Sequence, residues 1–308
     1  MTLQAIKNRL SSFQGRRFEQ TTLGVLLVIP LVIVLLGLLF YPIASSVLVS
    51  FQSKTVGTPG RFVGLANYIE LFTRDQAFAE VFFNTVLYAV ASVAFKLVLG
   101  FVAALVLNEK IVVRNLFRGW MLIPWIIPTL VVGLMWRWMF DQTGGVLNFL
   151  LMKLGLVTMP PAWLADKMLA RAAVIVANTW RGFPFFAITI LSGLQAIPAE
   201  LYEAAEMDGA SVLQRMRHIT IPGVRSVLLV VIILSTIWTF NDFELLWVMT
   251  EGGPSYSTHI FVTYAYQLGL MGSGGSRLGY ATAVSIVATP LITLFILLLV
   301  PRLLGEEE

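Results

Sequence analysis

The sequence predicts an all-α polytopic membrane protein of six transmembrane helices, with both termini cytoplasmic. Three observations predict it. The 308-residue chain is 57% hydrophobic and 12% charged, about half the roughly 25% charged residues of a soluble domain. Its apolar residues gather into six runs, near Leu23–Val49, Phe82–Leu107, Phe117–Phe140, Ala170–Leu194, Val224–Trp247 and Gly279–Leu299. Runs of about 18 residues or more are long enough to cross a hydrocarbon core. They lack period-2 alternation, and lipid tolerates only helices or closed barrels, so helices are predicted.

Each element follows in order. Residues 1–22 form an N-terminal segment. The first run is far longer than a signal h-region, and "FYPIASSVLVSFQ" after it offers no small-residue cleavage site. Residues 52–81 read as an outer loop with turn chemistry in "VGTPG" and a short amphipathic piece, "LANYIELF". Span two carries Lys96 too deep to snorkel, read as a buried structural ion or a partner-interface residue. Pro124 and Pro128 are set to kink span three, and Trp136 with Trp138 reads as an aromatic belt at its outer end. Within residues 141–169, "GGVLNFLLMKLGL" predicts a short interfacial helix. Residues 249–278, with "EGGPSYST" and "MGSGGSRLG", suit an irregular outer loop. The transmembrane domain covers 23–302 and a short tail 303–308. No short-period repeat and no soluble domain are seen.

Orientation follows from basic residues. Lys7, Arg9, Arg16 and Arg17 precede span one; Lys110, Arg114 and Arg118 follow span two; Arg215, Arg217 and Arg225 lie between spans four and five. The positive-inside rule puts these three segments in the cytoplasm. Lys54, Arg61, Arg74, Lys153 and Lys167 lie on the other side, so the bias is moderate. The net charge of +4 reflects that sorting, and no basic cluster with interleaved aromatics points to nucleic acid. Cysteine is absent, and His218 and His259 fall on opposite sides of the membrane, so no zinc site is predicted. No G-x4-G-K-[ST] phosphate loop occurs, so the chain cannot hold ATP by that means.

Two features carry function. Between spans four and five, residues 198–223 are unusually polar. Pro198 and the acids Glu200 and Glu203 start one short helix. Gly209 stops it, and Ser211 caps a second helix that ends at Pro222. By spacing alone this hairpin is either a solvated connection or a docking element. The second feature lies inside the spans. Asn178, Arg181, Gly182 and Phe185 fall at i, i+3, i+4 and i+7, as do Ser235, Trp238, Thr239 and Asp242. Each set lines one helix face at similar depth. Such a pair of stripes is either a polar seam closed by an Arg181–Asp242 ion pair or a site for a polar solute.

The hairpin reads Glu203-Ala204-Ala205, three residues, Gly209, nine residues, then Ile219-Thr220-Ile221-Pro222. It resembles the EAA loop, E-A-A-x3-G-x9-I-x-L-P, of permease subunits in ABC importers, with Ile221 in place of Leu. "IPAELYEAAEMDGAS", "FVGLANYIELF", "NTWRGFPFF" and "FNDFELLWVMTEGGPSYST" resemble the carbohydrate branch, the maltose-type sugar permeases. The resemblance implies a type I ABC importer permease fold working by alternating access in a bacterial or archaeal plasma membrane. It implies that Glu203, Ala204, Ala205, Asp208, Gly209, Arg215, Ile219 and Pro222 couple to a cytoplasmic ATPase, with His218 nearby. ATP and Mg would sit on that partner, and this chain would bind no cofactor. The implied partners are a second homologous permease subunit, two ATPase subunits and an extracytoplasmic sugar-binding protein. Sugar would be held at Asn178, Arg181, Gly182, Phe185, Ser235, Thr239 and Asp242, and helical phase adds Trp238. Arg181 and Asp242 depart from the maltose permease, which is uncharged at those positions. Paired, they suit a neutral sugar; an unpaired Arg181 suits an anionic sugar derivative or sugar ester. An ATPase-independent secondary transporter remains the alternative class, and a membrane scaffold would need no polar stripe.

Overall fold

The computed structural model describes residues 25–109, 114–272 and 275–304. Lys7, Arg9, Arg16, Arg17 and Lys110, the segment 1–22 and most of the tail lie outside them. The described chain is helical, with one two-stranded antiparallel ribbon pairing β1 (Gln52–Ser53) with β2 (Arg61–Phe62), Gln52 opposite Phe62.

Among the described residues, four unbroken helices are long and apolar enough to cross a membrane: α1 (Val25–Ser50), α3 (Gln76–Asn108), α7 (Lys167–Ala196) and α13 (Leu278–Leu304), of which Leu278–Leu297 meets that test. Two bent pairs complete the set. α4 (Arg114–Ile126) meets α5 (Thr129–Met139) at 90°, and α9 (Val212–Gly223) meets α10 (Arg225–Phe240) at 63°. Counting each pair as one span gives up to six. The first bend has a plain cause: Pro128 lacks an N–H, sits extended at ψ 138°, and caps α5.

Capping explains where the long helices begin. Asp75 accepts from the Phe78 N–H at the start of α3, and Asp166 accepts from the Met168 and Leu169 N–H groups at the start of α7. Oδ2 of Asp75 also accepts from the hydroxyls of Tyr264 and Tyr280, both at 2.7 Å. One carboxylate thus pins α3 and the helices of Tyr264 and Tyr280 together. Burial, and after it that acceptor, push the Tyr264 phenol above its usual range.

α3 packs along α7, and the core divides about this pair. At one end Tyr88, Trp136, Phe140, Val174, Leu245 and Met249 form a cluster. At the other, Val93, Leu107, Phe186, Ile190, Leu194 and Val231 form a second. Lipid tails are as apolar as Leu, so these clusters hold by close packing rather than by a hydrophobic drive.

The structure corrects several expectations. Span five does not run unbroken to Trp247: α10 stops at Phe240, Asn241 and Asp242 break it, and a separate helix, α11 (Phe243–Thr250), packs on α5 and α7. Residues 249–278 are not all irregular. Phe261–Tyr266 is helical (α12) and continues as a π turn to Met271, because Phe261, Tyr264 and Ala265 bury against α3 and α13. His259 is not a plain loop residue. It is 2% exposed, ringed by Trp247, Tyr256 and Tyr264, and its Nδ1 lies 3.1 Å from Thr263 Oγ1. Burial lowers its pKa to about 4, so the ring is neutral. Trp136 is not part of a belt: it is buried, stacked on Phe140 and edge-on to Trp180, while Trp138 is exposed. The other short helices, α2 (Ala66–Thr73) and α6 (Val146–Lys153), form where the sequence predicts them.

Candidate functional site

All eight residues of the two stripes line one cavity of about 100 Å³, between the two core clusters, together with Lys96 of α3 and Trp125 of α4. α7 supplies Asn178, Arg181, Gly182 and Phe185. α10 supplies Ser235, Trp238 and Thr239, and Asp242 enters from the break after it. A wider groove of about 570 Å³ adjoins it, sharing Trp125, Arg181, Trp238 and Asp242 and adding Thr129, Asn241 and Glu244. Together they fall in the size range of small-molecule sites.

The polar groups form two short networks. Asp242 Oδ2 accepts from Tyr88 Oη at 2.7 Å and from Asn178 Nδ2 at 2.6 Å. Lys96 Nζ donates to Thr239 Oγ1 at 3.1 Å and reaches Ser235 Oγ at 3.5 Å; Thr239 in turn donates to the Ser235 carbonyl. Gly182 is where Lys96 passes closest, since a Cβ there would sit 2.6 Å from Lys96 Cε. The expected Arg181–Asp242 ion pair is not made. Tyr88 and Asn178 occupy the carboxylate, and Arg181 Nε is buried with no acceptor among the described residues. Nor is Lys96 an isolated structural ion; it belongs to the cavity. Asn178 Oδ1 is likewise buried without a donor. The apolar wall is aromatic: Phe185 lies 5.0 Å from Trp238 and stacks on Trp125 at 5.9 Å. Polar groups beside flat rings suit a polyhydroxylated ligand, whose hydroxyls take hydrogen bonds and whose C–H faces take rings.

The hairpin folds at the end of α7. Pro198 caps α8 (Ala199–Met207). Gly209 has φ 75°, a left-handed conformation in which a Cβ is strained. Its N–H bonds the Glu206 carbonyl and the Ala210 N–H bonds the Ala205 carbonyl, the two-bond ending of a helix closed by Gly. The Asp208 N–H bonds the Ala204 carbonyl just before. Ser211 and Gln214 form a reciprocal capping box at the start of α9. Arg215 pairs with Glu206 at 3.5 Å, and Tyr202 Oη lies 3.0 Å from Thr220 Oγ1; these bonds close the two helices on each other. The second helix does not end at Pro222 but runs on to Gly223. Met216–Thr220, including partly buried Ile219, winds as a π turn with the Ile221 N–H bonded to Met216 O. The wider turn admits the Pro222 ring without the usual clash with a carbonyl four residues back. Glu203 is exposed, as are His218 and, strongly, Met207, Val212 and Leu213. The motif did not flag those last three; apolar residues in an otherwise polar loop were the available signal.

Residues 96–303 match the family of binding-protein-dependent transport system inner membrane components. The chain belongs to this family. The permease component is 34% identical to the trehalose/maltose transport system permease protein of Thermococcus litoralis, over 91% of this chain and 92% of that one. It is 36% identical to the sulfoquinovosyl glycerol transport system permease protein of Agrobacterium fabrum, over 86% of this chain and 85% of that one. Its fold is similar to that of a bacterial ABC transporter involved in the import of the acidic polysaccharide alginate, with TM-score 0.81, 23% identity and coverage of 96% and 99%. The permease component is the membrane-embedded transport subunit and not the ATPase.

Sequence reasoning missed Tyr88 and Trp125 as site residues. Tyr88, Ser92 and Lys96 repeat at i, i+4, i+8 on α3, the same signal that marked α7, but only the charge at Lys96 drew notice. Tyr88→Phe tests the Tyr88–Asp242–Asn178 triad. It removes one hydrogen bond to a charged group and is expected to weaken substrate affinity or permease stability by about 1.5–3 kcal/mol, read by uptake kinetics and detergent melting. No change in either would show that the Asp242 contact is incidental.

Proposed function

We propose that this permease subunit imports a sugar or sugar derivative, holding it in the α3–α7–α10 cavity and receiving energy through the 198–223 hairpin from a separate ATPase. The observation that carries this reading is the convergence of two sequence-distant polar stripes on one ring-walled cavity, joined by α7 to the hairpin. From Gly182 to Ala196, α7 spans about 20 Å at 1.5 Å per residue, so motion at the hairpin is delivered to the cavity by one helix. ATP and Mg belong to the ATPase partner. Two copies of that partner, a second permease subunit and an extracytoplasmic binding protein complete the transporter. The names of the relatives, which concern trehalose, maltose and a sulfosugar glycoside, support the substrate class.

The topology of this reading has six spans with both termini inside. A Cys at exposed Ser255 is expected to react with an impermeant thiol reagent in intact spheroplasts, whereas a Cys at Ser211 is expected to react only after permeabilisation. The reverse pattern refutes the orientation. The transport reading is tested by reconstituting the permease with its partner subunits and following uptake of labelled sugar. Uptake should require both the binding protein and ATP; uptake with the ATPase omitted would make the chain a secondary transporter.

A further inference from the structure

We propose that the cavity selects a glycoside bearing one acidic group, a carboxylate or sulfonate, with Arg181 as the residue that seats the acid. This deepens the sugar-import reading and rests on it.

The argument is a matter of which charges are already answered. Three ionisable side chains line the inner cavity: Lys96, Arg181 and Asp242. Two cations therefore face one carboxylate. Asp242 is held at Oδ2 by two neutral donors, Tyr88 and Asn178. Lys96 is held by the hydroxyls of Thr239 and Ser235. Of these three, Arg181 alone has a buried donor, Nε, with no acceptor among the described residues. Glu244 lines only the adjoining groove and is exposed, so it bears on approach rather than on the seat. Arg181 is half-buried, with its Nε drawn out of water; a guanidinium N–H so placed calls for an acceptor, and the planar fork matches a two-oxygen anion better than a hydroxyl. The low dielectric of the membrane interior strengthens that preference. Beside Arg181, Phe185 and Trp238 offer ring faces for the sugar, and Asn178 Oδ1 offers a free acceptor for one of its hydroxyls. The arrangement thus divides its labour: rings and amide for the sugar body, Arg181 for the charge.

The test uses the whole transporter in liposomes with its binding protein, and three labelled probes: trehalose, methyl glucuronide and sulfoquinovosyl glycerol. One of the two acidic probes is expected to enter at least about tenfold faster than trehalose at equal concentration, and which one does so identifies the acid. Arg181→Gln is expected to cut that uptake about 10- to 150-fold, the range for losing a hydrogen bond to a charged group, and Arg181→Lys to retain part of it. Unchanged acidic uptake in Arg181→Gln overturns the proposal; if that variant does not co-purify with its partners, Arg181→Lys carries the test, and acidic uptake at the parent's rate in it overturns the proposal. Preferred entry of trehalose also overturns it, while the sugar reading stands. Entry of none of the three overturns the proposal, and if the binding protein proves to hold a solute that is not a sugar, the sugar reading falls as well.

Discussion

Asp242→Ala is expected to abolish uptake and to lower the thermal stability of the permease. The carboxylate accepts both Tyr88 Oη and Asn178 Nδ2 at short distance and is only 8% exposed. Truncation orphans two buried donors at about 1–3 kcal/mol each, and it leaves Lys96 and Arg181 in the same cavity with no anion between them. Stability and transport can be separated with Asp242→Asn. The amide keeps an acceptor oxygen for Tyr88 and Asn178 but has no charge, so it is expected to recover most of the melting temperature and little of the uptake. The measurements are detergent melting of the assembled transporter and initial uptake rate. An Ala variant that melts like the parent would mean that Tyr88 and Asn178 find other acceptors, and the triad would lose its role.

Gly209→Val is expected to uncouple the permease from ATP hydrolysis while leaving it inserted. At φ 75° an L-residue costs about 1–2 kcal/mol, and more for a β-branched one. If that strain shifts the hairpin away from its docked shape, the loss is roughly 5- to 30-fold in coupling. Space is not the obstacle, since a Cβ at Gly209 meets nothing within 4 Å in the subunit. The penalty is conformational, so Gly209→Asn, which tolerates the left-handed region, is expected to retain far more coupling than Gly209→Val. Glu203→Lys reverses a charge on the exposed face of the same helix and is expected to impair docking without altering the fold. Substrate-stimulated ATP hydrolysis with the partner subunits reports all three. Normal stimulation in both Gly209→Val and Glu203→Lys would remove the hairpin from the coupling path.

Much of this architecture is legible in one sequence because helices are local. Composition and run length announce the apolar helices, and i, i+3, i+4, i+7 spacing places Asn178 with Phe185, and Ser235 with Thr239, on their faces before any tertiary contact is known. The left-handed Gly209, the Ser211 cap and the Pro198 start are likewise local, set within a few residues by steric limits and orphan backbone groups. The family resemblance added the reading of the hairpin as a coupling element; spacing alone left it open.

What the sequence by itself could not determine was which faces meet and which charges pair. The sequence offers Asp242 one charged partner at similar depth, Arg181, and opposite charges there can satisfy each other; Tyr88 carries no charge to flag it. The structure gives the carboxylate instead to Tyr88, 154 positions away, and to Asn178, because α3 packs against both α7 and α10 and brings its own polar line of Tyr88 and Lys96 into the cavity. In the same way α10 ends at Phe240 although the apolar run continues to Trp247, because Leu245, Leu246 and Met249 find a core against Trp136 and Val174 once the helix breaks at Asn241 and Asp242. Neither outcome is written in a local pattern. Each depends on interhelical rotation and depth, which close packing among several helices decides together.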